Sequence, residues 1–70
     1  MDFSELYAEL GRKRMSVPML AEKIGVSKKL IYSRLKGETD FKQSEISKIA
    51  EVLELDDNKV LLIFFAKAVS

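Results

Sequence analysis

The 70-residue chain contains no cysteine and no histidine. Without cysteine there is neither a disulfide framework nor a zinc–thiolate site, and the composition suits a reducing cytosol. Without histidine the commonest general base and the commonest metal ligand are both missing, so no Ser/His/Asp or Cys/His catalytic arrangement can be assembled. Carboxylates are present, but none are paired in a plausible pocket, and so short a chain could hardly enclose one. An enzyme is not expected, and neither is a metal or any other cofactor. Long apolar runs are also scarce. The longest, Val60 to Ala66, covers seven residues, far fewer than the roughly 20 a membrane helix requires. The opening Met1-Asp2-Phe3-Ser4-Glu5 is acidic and amphipathic, unlike a secretory leader. These absences point to a soluble, cytoplasmic protein with a single domain over residues 1–70, near the lower size limit for a self-sufficient core.

What is present is apolar material and unevenly placed charge. Hydrophobic residues make up 47% of the chain, enough for a core without metal or disulfide. The net charge is only +1, yet between Arg12 and Lys36 eight basic residues (Arg12, Lys13, Arg14, Lys23, Lys28, Lys29, Arg34, Lys36) face the single acidic Glu22. From Lys42 onward acidic residues slightly outnumber basic ones. A basic middle and an acidic remainder fit one face turned toward a polyanion, although an ordinary solvated surface gives the same count.

Strand signals are lacking, and five helical segments can be read. Helix 1 is expected over about Phe3 to Lys13, with Asp2 and Glu5 spaced as a capping box and a stripe of Phe3, Leu6, Tyr7 and Leu10. Helix 2 follows Ser16 as N-cap and carries Val17, Leu20, Ala21 and Ile24 inward before Gly25 stops it. Pro18 falls in its first turn, where a missing N–H is harmless. Helix 3 follows Ser27 and ends before Gly37, with Ile31 and Leu35 inward. Helix 4 spans about Gln43 to Glu54, with Ile46, Ile49, Ala50 and Leu53 inward. Helix 5 is expected over 57–68, its start suited by the carboxylates of Asp56 and Asp57. The pairs Met15/Leu20, Val26/Ile31, Phe41/Ile46 and Leu55/Val60 have hydrophobic-staple spacing, which sets the angle at which the chain enters a helix.

The segment 16–37 carries the functional signal. Two helices joined by Gly25-Val26-Ser27 must cross steeply, in the bihelical geometry of DNA-binding proteins, though an αα-hairpin of other function can use the same turn. Opposite Ile31 and Leu35, helix 3 shows Lys29, Ser33, Leu30 and Lys36, flanked by Lys28 and Tyr32. Lysines in a first helical turn are disfavoured by the helix dipole, a cost that a partner anion or base edge repays. Lys28 and Lys29 can donate to guanine, Leu30 can touch a thymine methyl, and Tyr32, Ser33 and Lys36 can reach bases or phosphates. The bland alternatives are solubility for the lysines and half-burial for Leu30 and Tyr32. Phosphate contacts are expected at the start of helix 2, from Ser16 and its free amides with Arg12, Lys13 and Arg14 ahead of them. Thr39, Lys42 and the start of helix 4 are expected to grip the other strand.

Leu20-Ala21-Glu22-Lys23-Ile24-Gly25-Val26-Ser27, then Ile31 and Lys36-Gly37, resemble the phage-repressor, Cro-type (XRE-like) helix-turn-helix family. Ile46-Ser47-Lys48-Ile49-Ala50-Glu51-Val52-Leu53 resembles that family's fourth helix. Ile31-Tyr32-Ser33-Arg34-Leu35-Lys36-Gly37 and Asp40-Phe41 resemble the short regulators of Gram-positive phages. The likeness covers roughly residues 5–66. It implies an all-α, five-helix, lambda-repressor-like fold with helix 3 in the major groove of an operator. Base-reading positions then fall on Ser27, Lys28, Lys29, Tyr32 and Ser33, and phosphate positions near Ser16, Val17 and Thr39 to Gln43. Three departures stand out: Val17 replaces a frequent glutamine, Lys42 replaces the usual polar cap, and Arg34 replaces a bulky residue, with Leu35 taking the inward role. The first two weaken the phosphate clamp that the resemblance implies.

Helix 5 is apolar on all sides through Val60-Leu61-Leu62-Ile63-Phe64-Phe65-Ala66. One face is expected to be covered by the other helices, Leu61, Phe64, Phe65 and Ala68 being one choice, but the sequence leaves open which face that is. Val60, Ile63, Phe64 and Phe65, which share Phe64 and Phe65 with that choice, are expected to meet a second copy in a homodimer that sets two recognition helices about one duplex turn apart. A buried core helix without a partner is the alternative. A reading from another class is a small phage antirepressor or modulator that binds a partner repressor through Leu30, Tyr32 and helix 5. A toxin–antitoxin antidote, or the N-terminal piece of a longer repressor, would share the DNA mode.

Overall fold

Polar residues set immediately ahead of apolar stripes decide where each helix begins. In the computed structural model, which describes residues 3–65, five α-helices follow in order: α1 (Ser4–Arg12), α2 (Val17–Ile24), α3 (Lys28–Lys36), α4 (Gln43–Leu53) and α5 (Asp57–Phe64). No strand occurs among the described residues, so the all-α expectation holds. Ser16 Oγ accepts from the Met19 N–H at 3.2 Å, Ser27 Oγ from the Leu30 N–H at 3.0 Å, and Asp56 Oδ1 from the Lys59 N–H at 2.8 Å. Each satisfies an amide that the first helical turn leaves without a partner. Lys42, an ammonium with no lone pair to offer, provides no side-chain cap for α4. Instead Glu45 reaches back and accepts from the Lys42 N–H at 3.0 Å. Pro18 lies in the first turn of α2, as expected. Asp2, the expected cap of helix 1, and the part of helix 5 expected beyond residue 65 lie outside the described residues. Phe3 occupies the N-cap position of α1.

Three of the four corners use one device. Arg14-Met15-Ser16, Gly25-Val26-Ser27 and Glu54-Leu55-Asp56 each open on a left-handed residue, at φ 53°, 80° and 56°. Each then carries an apolar residue packed on the core, and closes on the next helix's cap. The N–H groups of Met15, Val26 and Leu55 donate back to the carbonyls of Leu10, Ala21 and Ala50 respectively, at 2.9, 3.0 and 2.9 Å. Each therefore staples the helix that ends and the helix that begins.

α2 packs on both α3 and α4, and α5 packs on α1 and α4. Leu6, Leu20, Ile31, Ile49, Leu53 and Ile63 are the most deeply enclosed side chains, and every helix supplies at least one. Each contributes about 1.5–3 kcal/mol by leaving water. Phe41 meets Phe3 and Phe64 edge-on, with ring centroids at 5.4 and 5.3 Å, a favourable aromatic arrangement. This trio pins the loop after α3 against α1 and α5.

Two expected stripes are corrected. Tyr7 is 50% exposed, because α1 turns Phe3, Leu6 and Leu10 inward together with Glu9. Glu9 is tolerated there because Arg12 and Lys59 both pair with it. In α5, Leu61 and Phe65 are exposed rather than covered, whereas Ile63 and Phe64, expected at a partner surface, fill the chain's own core. Because α5 lies across both α1 and α4, its inward arc is Val60, Ile63 and Phe64, and Leu61, Leu62 and Phe65 remain outside.

Candidate nucleic-acid interface

The bihelical unit is built by local chemistry. Gly25 adopts φ 80°, which an L side chain rarely does, and its successors Val26 and Ser27 anchor and cap α3. Ile31 is fully enclosed against the core and fixes the depth of α3.

The rotation of α3 differs from expectation. Leu35 is only half-buried, and Arg34 takes the inward place beside Ile31 at 8% exposure. Arg34 can be buried because Glu45 of α4 meets it with both oxygens: Nε donates to Oε1 at 2.9 Å and Nη2 to Oε2 at 3.0 Å. These bonds hold the Glu45 carboxyl below the usual carboxylate range, an effect larger than the opposing cost of burial, and the Lys42 N–H adds to it. The same bonds raise Arg34 above its ordinary value. With Ile31 and Arg34 inward, the helical spacing sets Lys29 and Lys36 at the middle of the outward face, with Tyr32 beside them. Ser33 and Leu30 are half-buried at the margins.

The basic stretch is partly neutralised within the chain. Arg12 pairs with Glu9, Lys13 with Glu54 at 2.7 Å, and Arg34 with Glu45. Lys59 of α5 bridges Glu5 and Glu9, both at 3.3 Å, and is raised above its ordinary value by those two carboxylates in that order. Arg14, Lys23, Lys28, Lys29 and Lys36 are exposed and take no part in the ion pairs among the described residues. Within the basic stretch, the cations outside these ion pairs thus lie on α3, at the corner before α2 and, beside exposed Glu22, on α2; Lys42 and Lys48 at the start of α4 and within it are exposed and outside them as well.

The start of α2 is a poorer anion site than expected. Pro18 has no N–H and Ser16 occupies that of Met19, which leaves the Val17 amide; the Val17 side chain is buried because it belongs to the core stripe. The start of α4 is a better one. No side chain caps it, and exposed Lys42 and Gln43 flank its first-turn amides. Thr39, in the loop ahead of it, shares a hydrogen bond with Ser33 of α3 at 3.1 Å between hydroxyl oxygens. Ser27, Lys28, Lys29, Tyr32 and Ser33 are therefore gathered on one helix, and Ser33 is tied to the loop carrying Thr39 toward Lys42 and Gln43. Sequence reasoning missed the Arg34–Glu45 pair. Its only signals were an arginine where the resemblance expects a bulky residue, and a glutamate at capping-box spacing from Lys42.

A helix-turn-helix family model matches residues 6–59, from α1 into α5, with the whole α2–α3 unit inside the match. The chain belongs to the helix-turn-helix family. That family is one of DNA-binding regulators rather than of enzymes. No curated protein matches this helix-turn-helix chain. No helix among its described residues is long and apolar enough to cross a membrane.

Proposed function

We propose that this helix-turn-helix protein is a sequence-specific, double-stranded-DNA-binding transcriptional regulator of the phage-repressor, Cro-like kind, with α3 in the major groove. The observation that carries the reading is the outward face of α3. Among the described residues Lys28, Lys29 and Lys36 take part in no ion pair, while Arg12, Lys13 and Arg34 are each engaged by a carboxylate. Two free lysines beside the positive end of a helix are unfavourable unless an external anion or base edge answers them. In this reading Lys29 and Tyr32 read base edges with Ser27, Lys28, Leu30 and Ser33 at the margins. Arg14, Ser16, the Val17 amide, Lys36, Thr39, Lys42 and Gln43 meet phosphates. The whole of 1–70 acts as one domain in a bacterial cytoplasm.

The operator is bound as a homodimer through the exposed apolar face of α5, Leu61, Leu62 and Phe65. Selection from a pool of random duplexes, combined with the mass of the particle in solution, tests the whole reading. A recovered two-fold-symmetric site bound by two subunits supports it, as does affinity that falls steeply with salt. Failure to retain any duplex at low ionic strength would sink it. The exposed α5 face also favours a second reading, a modulator that binds a partner repressor; that reading expects weak duplex binding and a stable heteromeric complex.

A further inference from the structure

Buried between α3 and α4, the Arg34–Glu45 pair does two things at once. Glu45 Oε1 accepts from Arg34 Nε at 2.9 Å and from the Lys42 N–H at 3.0 Å. One carboxylate oxygen therefore joins the helix proposed to read bases to the backbone residue at which α4 begins. Arg34 also cancels the negative charge that Glu45 would otherwise place at an end of α4 suited to anions. Beside it, Ser33 meets Thr39 at 3.1 Å, a second tie between α3 and the same loop. In the same loop Phe41 meets Phe3 and Phe64 edge-on, which anchors it to the core. No side-chain N or O atom buried among the described residues lacks a partner, so the buried part of the arrangement is fully satisfied.

An apolar pair of similar volume would hold the helices together as well, since buried ion pairs often add little net stability over apolar replacements. What an apolar pair lacks is direction. A guanidinium fork on a carboxylate fixes both distance and angle.

We propose that Arg34 and Glu45 are positioning residues for specificity: they set the register between the base-reading side chains of α3 and the phosphate-binding start of α4, without touching DNA themselves. This rests on the DNA-binding reading above. Specific binding requires both sets of contacts to be made at once, whereas binding to random duplex tolerates either set alone.

The test compares the wild type, the double variant Arg34→Leu/Glu45→Leu, and the single variants Arg34→Lys and Glu45→Gln. Each is measured against the selected duplex and a random duplex of equal length, with thermal unfolding followed alongside. The wild-type arm alone tests the DNA reading; retention of neither duplex overturns that reading and this inference with it. Given wild-type binding, the double variant should fold with nearly unchanged Tm. Its preference for the selected duplex should fall about tenfold or more while random-duplex affinity changes less than about threefold. Arg34→Lys, which keeps the charge but not the fork, should lose an intermediate part of that preference. A folded double variant with wild-type preference overturns the proposal, and so does an equal loss on both duplexes. Should the double variant fail to fold, Glu45→Gln decides through hydrogen exchange of the Lys42 amide together with the duplex preference. Faster exchange with reduced preference supports the positioning role, and any other combination overturns it.

Discussion

Lys13 and Glu54 are forty-one positions apart, yet the ammonium lies 2.7 Å from the carboxylate and ties the corner after α1 to the corner after α4. Both corners turn through a left-handed residue that is not glycine, Arg14 in one and Glu54 in the other. The pair lowers the Glu54 carboxyl below its ordinary value through the hydrogen bond from Lys13. Being exposed, it guides the corners more than it stabilises them.

Arg14 is the informative residue of the two because the proposed phosphate contact and the strained backbone coincide there. Arg14→Gly relieves a left-handed conformation worth roughly 1 kcal/mol, offset in part by the added freedom of glycine in the unfolded chain. A small rise in Tm is expected, with affinity reduced alike for selected and random duplexes and a salt slope shallower by about one. A drop in Tm together with unchanged affinity would contradict both roles.

Lys29 stands at the middle of the outward face of α3. Lys29→Ala should weaken the selected duplex by about 1–3 kcal/mol and relax sequence preference at one position. Stability should rise by a few tenths of a kcal/mol, since a positive charge leaves the positive end of the helix. Competition binding against single-base variants of the site reads the first effect and thermal unfolding the second. Equal losses on every duplex would remove Lys29 from the reading role.

The pH dependence follows from Glu45. Its folded pKa is depressed by Arg34, so its contribution to stability is fully present above the unfolded carboxylate value, near 4.3. That contribution is lost as pH falls through the lower folded value. Tm should therefore hold from neutrality down to about pH 5 and decline below about pH 4. Arg34→Leu/Glu45→Leu should show a shallower decline, leaving mainly the exposed Glu54 and Lys13 contribution. Glu45→Ala, which leaves a buried guanidinium alone, should lower Tm by roughly 10 °C or more at neutral pH.

On α5 the exposed and buried arcs make opposite predictions. Leu61 and Leu62 are 56% and 47% exposed, so with the proposed homodimer on this face Leu61→Glu/Leu62→Glu should leave Tm of the monomer nearly unchanged while the mass of the particle falls to that of a monomer. Ile63→Ala, by contrast, should cost about 2–4 kcal/mol through the cavity it leaves. Analytical ultracentrifugation and thermal unfolding of the two variants distinguish the arcs. An unaltered mass for the first variant would remove this face from the proposed dimer.

Local chemistry was legible in the chain itself. Ser16, Ser27 and Asp56 begin helices, Gly25 and Gly37 end them, and Val17, Leu20, Ala21, Ile24, Ile46, Ile49 and Leu53 recur at helical spacing; these are interactions within a few residues, and sequence order is enough to specify them. The turn at Gly25 and the free lysines of α3 were legible for the same reason. The equivalent turns at Arg14 and Glu54 were not, because neither residue favours positive φ and packing of the apolar residue that follows imposes it. Only the tertiary structure decided the rotation of α3, since Arg34 can face inward only when Glu45, eleven positions on, is brought opposite it. It also decided which side of the uniformly apolar α5 is buried: a stripe without a polar face has no direction until α1 and α4 close on one side of it.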